Sequence, residues 1–322
     1  MNSMYKVLIG LLSIVFLVGC STTTQENVEN YPDEQISLVV PFDTGGASDM
    51  VSRAVAMEME NELGVPVVII NKTGGSGAIG VYDVMASSPD GYRIGYVPVE
   101  LSMYESLEIA NVPPEDFEYL SRIMTIPPAI TVPADAPYDT LEEFLDYAEE
   151  HPGEIQIGNS GTGSIWHIAA AALAQETGTS FNYVPFEGAA PAVSSLLGGH
   201  IDAVSVSPSE VKAGIDGGDL KVLAVMGEER DPIVPDVPTL QEEGIDLTLG
   251  AWGGFVAPKD TPQEIVDALD HAINKSMETD TFKRLAETNG LTPAYLSNED
   301  FKEFVLGEYD FYNEFIPTIQ MQ

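Results

Sequence analysis

The sequence predicts an α/β protein in which strands alternate with helices over most of the chain. Three observations predict it. Apolar runs of strand length recur, each followed by a turn and then by apolar residues at helical spacing. Two of these units, beginning near residues 36 and 155, share a strand, glycine loop, helix form. The chain of 322 residues is long enough for one large or two ordinary domains with ample core.

The first unit is the plainest. An apolar run at 36–40 ends in Pro41, Gly45 and Gly46, and a helix opens on Met50, Val51, Ala54, Val55, Met59 and Leu63. Free backbone N–H groups and the positive end of the helix dipole face whatever sits above such a turn. Glycine lets the backbone bend there and approach a ligand closely, and Ser48 or Asp49 can cap the helix. A bare strand-to-helix connection has the same local pattern.

Ahead of this unit, Lys6 precedes an apolar run at 7–18 that is too short to span a membrane as a stable helix. It ends in Leu17-Val18-Gly19-Cys20-Ser21, which resembles the bacterial lipoprotein signal, so Cys20 is the expected site of lipidation and the chain is expected to be exported. Residues 1–19 are then the signal and 20–30 a polar tether. Cys20 is the sole cysteine, so neither a disulfide within the chain nor a thiolate metal cluster can form. Thirteen Lys and Arg face 51 Asp and Glu, a formal net charge of −38, which argues against nucleic acid and anionic membranes as partners.

The remaining elements follow in order. Strands are expected at 65–70, 92–97, 120–126, 129–132, 155–158, 181–185, 201–206, 220–225 and 252–257, with parallel pairing. Residues 98–114 are expected to be irregular. Thr140-Leu141-Glu142-Glu143 is a capping box opening a helix to about 150, and Thr261-Pro262-Gln263-Glu264 reads as another. Alanine-rich 165–175 and 189–197 are helices, and helices fill the chain after 262, breaking near Gly290-Leu291-Thr292-Pro293.

Several motifs carry a chemical reading beside a plain one. Gly75-Ser76-Gly77-Ala78-Ile79-Gly80 matches the dinucleotide fingerprint G-x-G-x-x-G, but four residues separate it from its strand, so a glycine-rich turn beside a cleft fits better. Ser160 and Ser164 stand near His167, as a nucleophile stands near its base, yet no G-x-S-x-G elbow is present. His151, His167, His200 and His271 show no metal-ligand spacing. Trp252 fits a core or a cleft wall. No cofactor or metal is expected.

Leu38-Val39-Val40-Pro41-Phe42 with Gly45, Gly46 and Asp49 is similar to the opening of the solute-binding proteins of tripartite tricarboxylate transporters, the TctC or Bug family. The likeness continues through Asn71-Lys72-Thr73-Gly74-Gly75, Pro89-Asp90-Gly91-Tyr92, Ser160-Gly161-Thr162-Gly163-Ser164 with His167, Val184-Pro185-Phe186-Glu187-Gly188, Leu197-Gly198-Gly199-His200-Ile201-Asp202 and Ala257-Pro258-Lys259-Asp260-Thr261-Pro262. It covers nearly the whole chain beyond the tether. The resemblance implies a two-lobe, type II periplasmic-binding-protein-like fold with a ligand cleft, one lobe being 31–125 plus 250–322 and the other 126–249. It implies a non-enzymatic, monomeric, extracytoplasmic receptor that captures a small carboxylate and delivers it to membrane transporter subunits. A sensing receptor and an exported serine hydrolase using Ser164 and His167 are the rivals. The binding residues it implies are Phe42, Thr44, Gly45, Gly46, Ala47, Ser48 and Asp49, then Ser160, Gly161, Thr162, Gly163, Ser164 and His167, with Phe186, Gly188 and Ser207 opposite. Glu187 and Ser207 depart from the family pattern, and Pro98-Val99-Glu100 is unusual beside a cleft. A ligand with one carboxylate and a neutral or cationic distal group therefore fits as well as a dicarboxylate.

Overall fold

The computed structural model describes residues 31–42, 44–45, 47–186, 188–289 and 291–319. Cys20, the segments 1–19 and 20–30, Gly46 and Glu187 lie outside the described residues. The chain begins with β1 (Ile36–Val40), α1 (Ala47–Leu63), β2 (Val67–Asn71), α2 (Ala78–Met85), β3 (Arg93–Pro98) and β4 (Phe117–Ile126). It continues with β5 (Ala129–Pro133), α3 (Leu141–Glu150), β6 (Gln156–Asn159), α4 (Ile165–Thr177), β7 (Asn182–Pro185), α5 (Ala189–Leu197), β8 (Ala203–Val206), α6 (Pro208–Gly217) and β9 (Leu220–Val225). Then follow β10 (Ala251–Pro258), α7 (Gln263–Glu278), α8 (Asp280–Asn289), β11 (Thr292–Leu296) and α9 (Asn298–Phe315).

The described strands form two sheets, ordered β11-β4-β10-β3-β1-β2 and β7-β6-β8-β5-β9. The pairs β1–β2, β1–β3, β6–β7 and β6–β8 are parallel, as alternation with helices requires. The expectation of parallel pairing throughout fails at β10, β5 and β11. β10 is antiparallel to β3 and β4, and β5 to β8 and β9. The physical reason is direction of entry. β5 and β10 each begin where the chain arrives from the other sheet, so each enters its sheet from the carboxyl ends of the parallel strands and runs backwards. Residues 126–129 make the first passage and 226–250 the second, and Met226 N donates to Pro128 O at 2.8 Å, tying the passages together.

β11 was not expected, since helices alone were read beyond 262. It is an edge strand on β4 whose pairing shifts register between Pro293 and Leu296. Proline, a short length and an irregular ladder hide such a strand from pattern reading. Thr261 also differs from its expected role: its hydroxyl donates to Pro258 O at 2.7 Å and α7 starts without a side-chain cap. Thr140 does cap, accepting from Glu143 N at 3.2 Å, while the Glu143 carboxylate reaches back to Asp139 N at 2.7 Å. The stretch 98–114 is largely irregular but contains tight turns at Val99–Ser102 and Pro114–Asp116.

β1 shows how the core is built. Ile36, Leu38 and Val40 point to one apolar cluster with α1 and α7, and Val39 points to another on the opposite face. That second cluster runs on through Val99, Leu101, Met103 and Tyr104 into the second sheet and α4. The segment after α9 also reaches α4, where Gln175 Nε2 donates to Thr318 Oγ1 at 3.2 Å.

α9 lies close over β10. A Cβ on Gly254 would overlap the Phe301 ring and stand 2.5 Å from the Ser121 carbonyl oxygen. Gly254→Ala is expected to destabilise the protein by roughly 1–3 kcal/mol through overpacking, with a lowered urea midpoint and an unchanged denaturant slope.

Candidate functional site

All the parallel strands end on one edge of their sheet, and the helix that follows each starts there. The N-termini of α1, α4 and α6 thereby meet across the gap between the sheets. A cavity of about 310 Å³ between them is lined by Ala47 and Met50 of α1, Trp166 of α4, and Ser207, Ser209, Glu210 and Lys212 at the start of α6. Ile126, Thr288 and Leu291 complete it. Trp166 faces this cavity. Trp252, by contrast, is core: it is 2 % exposed, meets Phe301 and Phe304 edge to face, and donates from Nε1 to Glu308 at 3.3 Å.

The first loop is braced from below. Asp49 is buried, and its carboxylate accepts from Gly45 N, Arg53 Nε, Arg53 Nη2 and Asn71 Nδ2, all at 2.9 Å. Asn71 Nδ2 also donates to Phe42 O at 2.9 Å, and Thr44 Oγ1 to Asn71 Oδ1 at 3.2 Å. Asp49 thus reaches back from the first turn of α1, as the acid of a capping box does. Gly45 at φ +91° is what lets the loop turn its N–H onto Asp49. Phe42, Ala47 and Ser48 are half-buried and Thr44 is exposed; of these, Ala47 lines the cavity. Arg53 and Asn71 brace this loop, a role that sequence reading did not assign them. The signal was present, because Arg53 stands four residues after Asp49, the spacing of an intrahelical ion pair.

The second loop repeats the device with neutral groups. Asn159 Oδ1 accepts from Gly161 N at 3.0 Å, and His167 Nδ1 accepts from Gly163 N at 3.1 Å. Gly163 takes φ +77° to allow this. Ser164 caps α4, accepting from His167 N at 3.3 Å. Ser160, Gly161 and Ser164 are half-buried and Thr162 is exposed. The N–H groups of Ile165 and Trp166, in the first turn of α4, take no protein acceptor among the described residues. Phe186 lies against this loop, donating from its N to Asn159 O at 3.0 Å, and Gly188 starts α5. Ser207 closes a capping box with Glu210 at the head of α6 and shares a hydroxyl contact with Ser209 at 2.8 Å.

This geometry excludes the hydrolase reading. A general base must be held by a third group, but His167 spends Nδ1 on Gly163 N, and its buried Nε2 has no partner among the described residues. Burial lowers its pKa, so the ring is neutral. Among the described residues no group of three His, Cys, Asp or Glu could hold a metal. What remains at the cavity is helix N-termini and hydroxyls, with few cations. Arg53 is spent on Asp49, and Lys212 on Asp216 at 2.8 Å.

Glu100 stands apart. It lies in the turn just past β3, half-buried, and burial pushes its carboxyl up to about 7.

Asp49 gives a pH test. Burial opposes its ionisation, but the hydrogen bonds from Arg53, Asn71 and Gly45, with the Arg53 charge, outweigh burial and hold the carboxyl at about 2. A depressed value stabilises the fold above the unfolded pKa of about 3.9, and that contribution drains away as pH falls through the folded value. Asp49→Asn is expected to lose roughly 1–3 kcal/mol near neutral pH. The gap between the two proteins should narrow to about half near pH 3, read by urea unfolding at both pH values.

Comparison with known proteins agrees with this geometry. The family profile described as Tripartite tricarboxylate transporter family receptor, TctC, matches residues 51–320. A TctC solute-binding protein from Polaromonas, solved without ligand, is 40 % identical with a TM-score of 0.82, covering 89 % of this chain and 99 % of its own. Rpa4515 of R. palustris, solved with adipate, is 27 % identical with a TM-score of 0.77, covering 90 % and 99 %. MatC (Rpa3494) from Rhodopseudomonas palustris, solved with bound malate, is 26 % identical with a TM-score of 0.73, covering 89 % and 100 %. With two lobes facing each other across a cleft of helix N-termini, and the family pattern running from 51 to 320, this chain belongs to the tripartite tricarboxylate transporter family receptors, which are solute-binding proteins and not enzymes.

Proposed function

We propose that this protein captures a small carboxylate in the cleft between its sheets and delivers it to a membrane transporter of the tripartite tricarboxylate type. The observation that carries the reading is the meeting of three helix N-termini, those of α1, α4 and α6, on one cavity. Each presents partial positive charge to an anion, and α4 adds the N–H groups of Ile165 and Trp166, unpaired among the described residues. The malate and adipate held by similar proteins support the same ligand class. Ligand contacts are assigned to Phe42, Thr44, Gly45, Gly46, Ala47 and Ser48 on one side, and to Ser160, Gly161, Thr162, Gly163, Ser164, Phe186, Gly188 and Ser207 on the other. Asp49 and His167 act by holding those loops. The lobes are 31–125 with 250–322, and 126–249, and they close about the passages near Pro127 and 226–250.

Delivery fits an exported receptor held at the outer face of the membrane through lipid on Cys20. Among the described residues no helix is long and apolar enough to cross a membrane. Replacing Cys20 by Ser is expected to abolish acylation and release the protein from the membrane fraction. Acylation that persists in the variant would remove the anchor.

The ligand class is tested by calorimetry of the purified protein against mono-, di- and tricarboxylates. Ser164 offers its hydroxyl hydrogen to the ligand while its oxygen caps α4. Ser164→Ala is therefore expected to weaken carboxylate binding by roughly 1.5–3 kcal/mol, the worth of a hydrogen bond to a charged group. Loss of the cap should cost about 1 kcal/mol of stability. Unchanged affinity in that variant would place the ligand elsewhere.

A further inference from the structure

One carboxylate at the cleft edge of the first sheet has no structural use. Asp49 is spent on Arg53, Asn71 and the first loop, and Glu210 on capping Ser207. Glu100 has neither duty. Apart from its own backbone N–H, nothing among the described residues donates to its carboxylate, and no lysine or arginine pairs with it. Its charge instead reaches the hydroxyls of Tyr96, Tyr104 and Tyr312, which approach from β3, from the following turn and from α9.

The place of Glu100 ties it to the ligand loops. It follows the carboxyl end of β3, the edge on which the helix N-termini gather, and Pro98 just before it pairs with Gly253 of β10. The Tyr104 hydroxyl and the Phe42 ring of the first loop stand 3.1 and 3.4 Å from the position a Cβ on Gly77 would take. Downstream, Tyr104 donates to Ser76 O at 3.0 Å, and Leu107 lies 3.5 Å from the position a Cβ on Gly163 would take in the second loop. The segment carrying Glu100 thus spans from one loop region to the other.

We propose that Glu100 is the counter-charge for a cationic group on the ligand, so that the cleft takes small amino- or ammonio-carboxylates in preference to dicarboxylates. The inference rests on the carboxylate reading of the same cleft. The ligand's carboxylate takes the helix N-termini, and its ammonium end takes Glu100. A half-buried carboxylate without a partner is unfavourable until a cation arrives. A second carboxylate in that position would meet a like charge with no arginine or lysine to offset it.

The test is calorimetry on the native protein with matched pairs in which an ammonium replaces one carboxylate: succinate against β-alanine, and glutarate against γ-aminobutyrate. The amino member of a pair is expected to bind at least about tenfold more tightly. Glu100→Gln, checked for native circular dichroism, should lose that preference by weakening the amino members while leaving the dicarboxylates unchanged or tighter. Dicarboxylates ranking first on the native protein would overturn the inference and leave the carboxylate reading standing. So would an unchanged ranking in Glu100→Gln. Binding of no carboxylate of either kind would overturn both. If the variant does not fold, the ranking on the native protein decides.

Discussion

The structure depends on one directional constraint. A parallel strand that ends at the cleft hands over to a helix that begins at the cleft, so every such unit delivers a dipole's positive end to the same place. β1 with α1, β6 with α4, and β8 with α6 all obey it. The two strands that arrive from the opposite sheet, β5 and β10, run backwards and carry no helix to the cleft edge. Their reversed entry leaves that edge free for loops and lets both passages of the chain lie side by side, joined at Met226 and Pro128.

The same constraint accounts for the chemistry. A protein with 51 acidic side chains and 13 basic ones has little lysine or arginine to commit to an anion. Backbone donors do not change with the surface composition, and the side chains that hold them, Asp49, Asn159 and His167, are buried. Asp49 beneath the first loop and Asn159 and His167 beneath the second fix the backbone before any ligand arrives. Loops held in this way lose little freedom on binding. Long-range repulsion between the acidic surface and an anion is screened by salt over about 8–10 Å, whereas the loops act at contact.

The parts of this design that are local were legible in the chain. Val40, Pro41 and Gly45 announce the first loop within a few residues, and Ser164 three residues before His167 announces the cap of α4. Parts that depend on partners far apart in sequence were not. Asn71 reaches Asp49 from the next strand, 22 residues on, and only the fold brings them together. β11 owes its existence to β4, from which more than 150 residues separate it. Thr261 carries the pattern of a helix cap, but its hydroxyl is nearer the Pro258 carbonyl, and that bond wins. The reversed direction of β5 and β10 follows from which sheet the chain has just left, a fact no window of sequence contains.

The brace beneath each loop also separates two kinds of inheritance. The proposed grip on one end of the ligand is made of main chain, whose donors survive almost any side-chain replacement above it. The proposed contact at the other end comes from the segment between Tyr96 and Leu107, whose turn at Val99–Ser102 is short and held by few hydrogen bonds. A lineage can therefore rewrite what it recognises by exchanging one or two residues in that turn while retaining its hold on the shared group. Descendants of one scaffold could diversify in diet without rebuilding the scaffold.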